Sequence, residues 1–238
     1  MSDTTDLNPS KLGTKEHWDD VYARELSNFE EIGDEGEIWF GEDSVEKMVD
    51  WVQDYIAKEP APTIIEIGAG NGMLLFALHE AGYEATRILG VDYSADAVKL
   101  ARAIGDSRAD GANAITFEEC DFLRSYPQAL PGDQAIERDI STWDLVLDKG
   151  TFDAIALAER DNSGKAPSAD YPPRIGATVK PGGYFLITSC NFTEEELISQ
   201  FASSSTGLQY HSKVTWPKFS FGGQQGNVYS TVAFQKPA

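Results

Sequence analysis

The sequence predicts an α/β fold: a doubly wound, mostly parallel seven-stranded sheet ending in an antiparallel C-terminal hairpin. Three observations predict it. From residue 63 onward, apolar runs of strand length alternate with stretches of helical period. A glycine-rich turn joins the first strand to its helix. The last two apolar runs have only a glycine-bearing link between them, so they are expected to pair antiparallel. At 238 residues, 41% hydrophobic and 11% aromatic, the chain has apolar material for one core and one domain. Residues 1–12 read as a disordered tail. Residues 13–238 read as a single domain, with a helical and loop extension over 13–62 and the α/β core over 63–238.

The elements follow in order. Gly13 to Glu42 is rich in aromatics (Trp18, Tyr22, Phe29, Trp39, Phe40) without strand alternation and reads as a helix followed by a loop. Val45, Met48, Val49, Val52, Tyr55 and Ile56 keep a helical period, with Asp43 as N-cap, Glu46 three residues on, and Pro60 and Pro62 closing the segment. Thr63–Ile67 is the first strand, and Gly68–Gly72 leads into the helix Met73–Glu80. Arg87–Asp92 is the second strand; Ser94 caps a helix that Gly105 is expected to stop. The third strand is Ile115–Glu119, and a polar loop over 126–142 precedes the fourth, Trp143–Leu147. A helix over Phe152–Ala158, an insertion over 160–170 and a helix over Tyr171–Val179 come next. Lys180-Pro-Gly-Gly183 then turns the chain into the fifth strand, Tyr184–Ser189. Thr193–Phe201 opens on a Thr-x-x-Glu capping box. Leu208–Trp216 and Val228–Phe234 form the hairpin, which puts one reversed strand at the sheet edge.

Thirty-nine acidic against nineteen basic side chains give a formal charge of −20. Such a surface repels phosphate backbones, and no basic cluster offsets it, so nucleic acid is not an expected partner. A basic protein or a small molecule fits better, although the charge also serves solubility alone. Cys120 and Cys190 lack CxxC spacing and read as buried small residues of a reduced compartment, the cytoplasm. Met1 to Ser10 is polar, and no long apolar run occurs, so neither a signal peptide nor a membrane span is expected. His17, His79 and His211 lack metal-like spacing, and no metal site is expected.

Glu66-Ile-Gly-Ala-Gly-Asn-Gly72 carries glycines at 68, 70 and 72, where backbone must approach a ligand closely. A dinucleotide fingerprint needs a third glycine where Met73 stands, which argues against NAD. Glu66 would repel a pyrophosphate but accepts hydrogen bonds from an ammonium. Asp92, twenty residues past Gly72, is placed to take both hydroxyls of a ribose. Asp121 is placed to receive an adenine amino group, with Phe122 beside the ring, and the fourth strand closes on Asp148. Acidic residues at the carboxyl ends of successive strands suit a cationic nucleoside–amino acid better than a phosphate ester. Asp148 taken alone reads equally as a helix cap, and Trp39 and Phe40 equally as core.

At this point the chain resembles the class I, seven-stranded S-adenosylmethionine methyltransferases with a Rossmann-like fold. The resemblance rests on Glu66-Ile-Gly-Ala-Gly-Asn-Gly72, Val91-Asp92, Cys120-Asp121-Phe122 and Lys180-Pro-Gly-Gly183, in the family's order. Longer stretches are similar to the translation elongation factor 1-alpha lysine methyltransferases. They include Leu12-Gly-Thr-Lys-Glu-His-Trp-Asp19, Glu37-Ile-Trp-Phe-Gly-Glu42, Asp148-Lys-Gly-Thr-Phe-Asp-Ala-Ile155, Tyr171-Pro-Pro-Arg174, Thr188-Ser-Cys-Asn191 and Phe219-Ser-Phe-Gly-Gly223. The resemblance implies S-adenosyl-L-methionine as cofactor, held by Glu66, Gly68, Ala69, Gly70, Asn71, Gly72, Asp92, Tyr93, Asp121, Phe122, Asp148 and Trp39. It implies that Asp148 aims the acceptor amine and that Phe40, Lys149, Asn191, Phe219 and Phe221 meet the substrate. The expected enzyme is a monomeric protein-lysine N-methyltransferase acting on elongation factor 1-alpha. A small-molecule methyltransferase of the same fold, or a non-catalytic cofactor-binding scaffold, is the alternative.

Overall fold

In the computed structural model, which describes residues 7–130, 140–217, 219–221, 224–226 and 228–238, two helices precede the α/β core. Helix α1 (Lys15–Ile32) starts on the Thr14 side chain, which accepts from the His17 amide, and ends on Gly33 in the left-handed conformation. Helix α2 spans Glu42–Tyr55. Its N-cap is Gly41 rather than Asp43, which lies in the first turn beside Glu42, where carboxylates suit the positive end of the helix.

The core runs β1 (Ile64–Ile67), α3 (Met73–Glu80), β2 (Ile88–Asp92), α4 (Ala95–Ser107), β3 (Thr116–Glu119), β4 (Trp143–Lys149), α5 (Thr151–Ala156), α6 (Tyr171–Thr178), β5 (Val179–Ser189) and α7 (Glu194–Phe201). Strands β6 (Gln209–Val214), β7 (Phe219–Phe221), β8 (Gln224–Gly226) and β9 (Ser230–Gln235) complete it. The main sheet has seven strands in the order β3-β2-β1-β4-β5-β9-β6, with β7 and β8 as a separate hairpin inside the expected glycine-rich link. Strands β1 to β5 are parallel, and β9 is antiparallel to both β5 and β6.

Three further expectations are corrected. The reversed strand is β9, which lies inside the sheet, while β6 takes the edge. Burial explains the order: Thr231, Val232, Ala233 and Phe234 are all covered, whereas β6 is largely exposed. Gly105 does not stop α4, which continues to Ser107; its φ is not in the left-handed region that ends helices on glycine. Lys180–Gly183 does not precede β5 but bulges within it, between the register pairs Trp143↔Val179 and Leu145↔Tyr184. Lys180 there meets Asp144, whose carboxylate also accepts from the Thr63 amide and hydroxyl, so the motif fastens the sheet at its amino end.

Strand periodicity divides the core between two faces. Ile64, Ile88, Leu145, Leu147, Leu186 and Ala233 pack with Tyr22 and helices α2, α3 and α4. Ile65, Ile67, Leu89, Val91, Val146, Phe185, Ile187 and Phe234 pack with Phe152, α6 and α7 on the other. This alternation decides where the side chains at the carboxyl edge point.

Candidate active site

Strand β1 delivers Glu66 to the carboxyl edge on the face of Ile64, 1% exposed, with Oε2 buried and without a hydrogen-bond partner. Burial pushes its carboxyl well up from the ordinary range, with the charges of Asp148 and Asp92 adding to the shift and Lys149 opposing it. The turn that follows is held by two amides, Gly68 and Ala69, donating to the Val91 carbonyl at 2.8 and 2.9 Å. Gly68 and Gly70 have φ of 71° and 55°, and a Cβ would lie 2.0 Å from Thr151 Oγ1 and 2.4 Å from the Tyr22 hydroxyl, respectively. Glycine is therefore required at both.

Asp92 ends β2 beneath this turn and accepts from the Gly70 amide at 3.0 Å and the Ser94 amide at 2.9 Å. Burial raises it to about 6, those two amides opposing the shift. Tyr93 is half-buried under Lys15, whose Nζ lies 5.3 Å from the ring centroid, and burial raises its phenol. Asp121 is half-buried, accepts from the Leu123 amide at 3.1 Å and pairs with Arg124 at 3.2 Å. Phe122 is buried edge-on to Tyr171, and Arg174 from α6 donates to the Phe122 and Ser125 carbonyls. Asn71 is buried, and its Nδ2 donates to the Glu35 and Glu37 carbonyls at 3.0 and 3.3 Å, pinning the segment after α1 over the turn.

Strand β4 extends two residues beyond the expected Leu147, and its alternation separates Asp148 from Lys149. Lys149 lies on the Glu66 face and donates to the Trp39 carbonyl at 3.0 Å, while burial lowers its ammonium pKa against the pull of Glu66 and Asp148. Trp39 meets Trp18 edge-on, with its indole N–H buried and unpartnered. Phe40, at φ 68°, lies over Gly150 and stacks on Tyr229 at 5.0 Å. A non-glycine residue in the left-handed region is strained, and this one brings the aromatic strip onto the end of β4. Trp39, Phe40, Lys149 and Glu66 thus lie together at the end of β4.

Asp148 does not join them. Its carboxylate is wholly buried on the opposite face, where Oδ1 accepts from the Thr151 amide at 2.8 Å and Oδ2 from the Phe152 amide at 3.0 Å and the Tyr171 hydroxyl at 2.7 Å. Burial raises it to about 7 even so. Asp148 takes the capping role that its sequence position also allowed: the Thr151 and Phe152 amides and the Tyr171 hydroxyl engage both of its oxygens. Asn191 is exposed, with its amide donating to Asp153 Oδ1 at 2.7 Å. Cys120 is buried as expected, whereas Cys190 is exposed. Phe219 and Phe221 lie in β7, and their side chains fall outside the described residues. Sequence reasoning passed over Tyr22 and Asp153; the aromatic spacing Trp18, Tyr22, Phe29 along α1 was the available signal for the former.

A family model described as "Methyltransferase domain" matches residues 58–236. Protein-lysine N-methyltransferase efm4 of Schizosaccharomyces pombe is 41% identical, covering 96% of this chain and 95% of that protein. Human EEF1A lysine methyltransferase 2 is 40% identical, over 96% of this chain and 88% of that protein. The chain belongs to the protein-lysine N-methyltransferase family. Its fold is also that of more distant solved enzymes. The CcbJ methyltransferase of Streptomyces caelestis superposes with a TM-score of 0.60 at 13% identity, over 92% and 98% of the two chains. Magnesium protoporphyrin IX methyltransferase of Synechocystis, solved with bound SAM, gives 0.56 at 14%, over 91% and 97%. This methyltransferase therefore has a seven-stranded methyltransferase fold, and its carboxyl edge is the candidate active site.

Proposed function

We propose that this methyltransferase transfers a methyl group from S-adenosyl-L-methionine to a lysine of translation elongation factor 1-alpha. The observation that carries the reading is similarity at about 40% identity along nearly the whole chain to enzymes named for that activity. The donor set fits the cofactor. Glu66 Oε2 is a buried acceptor awaiting a donor, as the ammonium of an amino acid moiety requires. Asp92 suits a ribose, and Asp121 with Phe122 suits an adenine. When bound, the cofactor supplies an electrophilic methyl on a sulfonium, whose leaving thioether needs no acid.

The protein's own tasks are positioning, exclusion of water and management of one proton. A lysine of pKa about 10.4 must lose a proton to attack, which costs about 4–5 kcal/mol at neutral pH. Burial lowers that cost, and Trp39 and Phe40 offer apolar walls beside the end of β4. The charge of −20 favours a basic protein surface over a phosphate backbone. Two free cysteines suit the reducing cytoplasm, and we take the working form to be a monomer. The test is incubation of the purified enzyme with methyl-labelled cofactor and a cell extract, resolved into protein and small-molecule fractions. Label in a single band of elongation factor 1-alpha is expected; label confined to small molecules would refute the reading.

A further inference from the structure

The acceptor lysine needs a polar group that meets its amine, and both oxygens of Asp148 already accept from the protein. Asp153, the third residue of α5, is 4% exposed. Its Oδ1 accepts from the Ser189 hydroxyl at 2.8 Å, the Asn191 amide at 2.7 Å and the Cys190 thiol at 3.8 Å. Its Oδ2 is buried and has no partner. Three donors converging on one oxygen fix the carboxylate rigidly, and the second oxygen is left bare. A buried acceptor without a donor is destabilising, and at the edge where a ligand binds it offers that ligand a hydrogen bond.

Its place in the fold says which ligand. Helix α5 follows β4, and Ser189, Cys190 and Asn191 close β5, so Asp153 sits between the carboxyl ends of those two strands. Cys190 and Asn191 are exposed and border it on the solvent side. Glu66, on β1, also carries a buried oxygen, Oε2, without a donor. Glu25 shares it too, but its carboxylate packs under Gly36 and accepts from the Glu37 amide, closing the segment after α1 away from the strand ends. The carboxyl edge thus carries two carboxylates with a buried bare oxygen, and the reaction brings two amines.

We propose that Asp153 Oδ2 accepts the hydrogen bond from the ε-amino group of the substrate lysine, as the counterpart of Glu66 for the amino group of the cofactor. The assignment rests on the reading of this edge as a lysine methyltransferase site. Asp153 receives the lysine as an ammonium, one proton leaves to water, and the remaining N–H···O bond aims the lone pair. The new N–C bond then forms as the C–S bond breaks.

Asp153→Asn tests this with little change of shape, since the amide oxygen still serves Ser189 and Asn191 while an NH2 donor replaces the bare oxygen. Three quantities are measured on one preparation: the Kd of S-adenosylhomocysteine, the single-turnover rate on purified elongation factor 1-alpha, and the melting temperature of the S-adenosylhomocysteine complex with n-butylammonium chloride against equal sodium chloride. The expected result is unchanged cofactor Kd, a rate reduced at least about tenfold, and a butylammonium-induced rise in melting temperature in the wild type that Asp153→Asn loses. If Asp153→Asn does not fold, Asp153→Glu replaces it and is expected to keep the butylammonium rise, because the charge is retained. A wild-type rate in Asp153→Asn, or a rise no larger in the wild type than in Asp153→Asn, would overturn the proposal, as would loss of the rise in a folded Asp153→Glu. A wild type that methylates no elongation factor 1-alpha yet shows the Asp153-dependent rise would refute the protein substrate and retain the amine site.

Discussion

Asp148→Asn should lower the melting temperature and leave the turnover of the folded enzyme near normal. Asparagine keeps one acceptor but turns an NH2 toward donors, so at least one of the Thr151 amide, the Phe152 amide and the Tyr171 hydroxyl loses its partner. The cost is about 1–3 kcal/mol, read by thermal or urea unfolding beside a single-turnover assay. A stable but slow variant would return Asp148 to the chemistry. Glu66 behaves differently. Burial raises its carboxyl in the free protein, and a cofactor ammonium needs it ionised, so binding releases a proton and tightens as pH rises from about 6 to about 8.5. Calorimetry of S-adenosylhomocysteine in Glu66→Gln should give weaker binding and a flatter pH dependence. Equal slopes would show that the ammonium binds elsewhere.

At the scale of elements, most of the fold was readable because apolar period, glycine turns and capping boxes are local signals. Helix α3 runs over the expected Met73–Glu80, and the Thr193–Glu196 capping box forms as the spacing requires. What escaped was set by packing. The place of β9 inside the sheet depends on both its faces being covered, and the extension of β4 through Lys149 depends on its pairing with Thr188 of β5. That extension matters most for the site, since one residue of parity exchanges the roles of Asp148 and Lys149. The docking of α1 on the glycine turn is equally non-local and yields a test. Gly70→Ala places a methyl 2.4 Å from the Tyr22 hydroxyl and a side chain at φ 55°. Adding Tyr22→Phe should recover the steric part and leave about 1–2 kcal/mol of backbone strain. Full recovery, or none, in denaturation of the double variant would contradict the contact.

For the whole molecule, buried carboxylates set the pH dependence of stability. Burial raises Glu66 to about 8 from an ordinary 4.5, and Asp148 to about 7 and Asp92 and Asp153 to about 6 from an ordinary 3.8. Between those limits the folded state holds more protons than the unfolded one, so this stabilisation is complete below about pH 4 and is lost as pH rises through about 6–8. The cofactor-free protein should therefore melt higher near pH 5 than near pH 8; a rise in melting temperature over that interval would mean these groups are solvated. The proposed function joins two halves at this scale: Glu66 and the glycine turn for a cationic cofactor, and Trp39, Phe40 and Asp153 for an incoming lysine. The measurement that tests that union most directly is peptide mass mapping of purified elongation factor 1-alpha after incubation with this enzyme and methyl-labelled S-adenosyl-L-methionine. Methyl label on a lysine side chain, absent with Glu66→Gln, is the predicted result; an unmodified elongation factor, with the enzyme shown to bind S-adenosylhomocysteine, would contradict it.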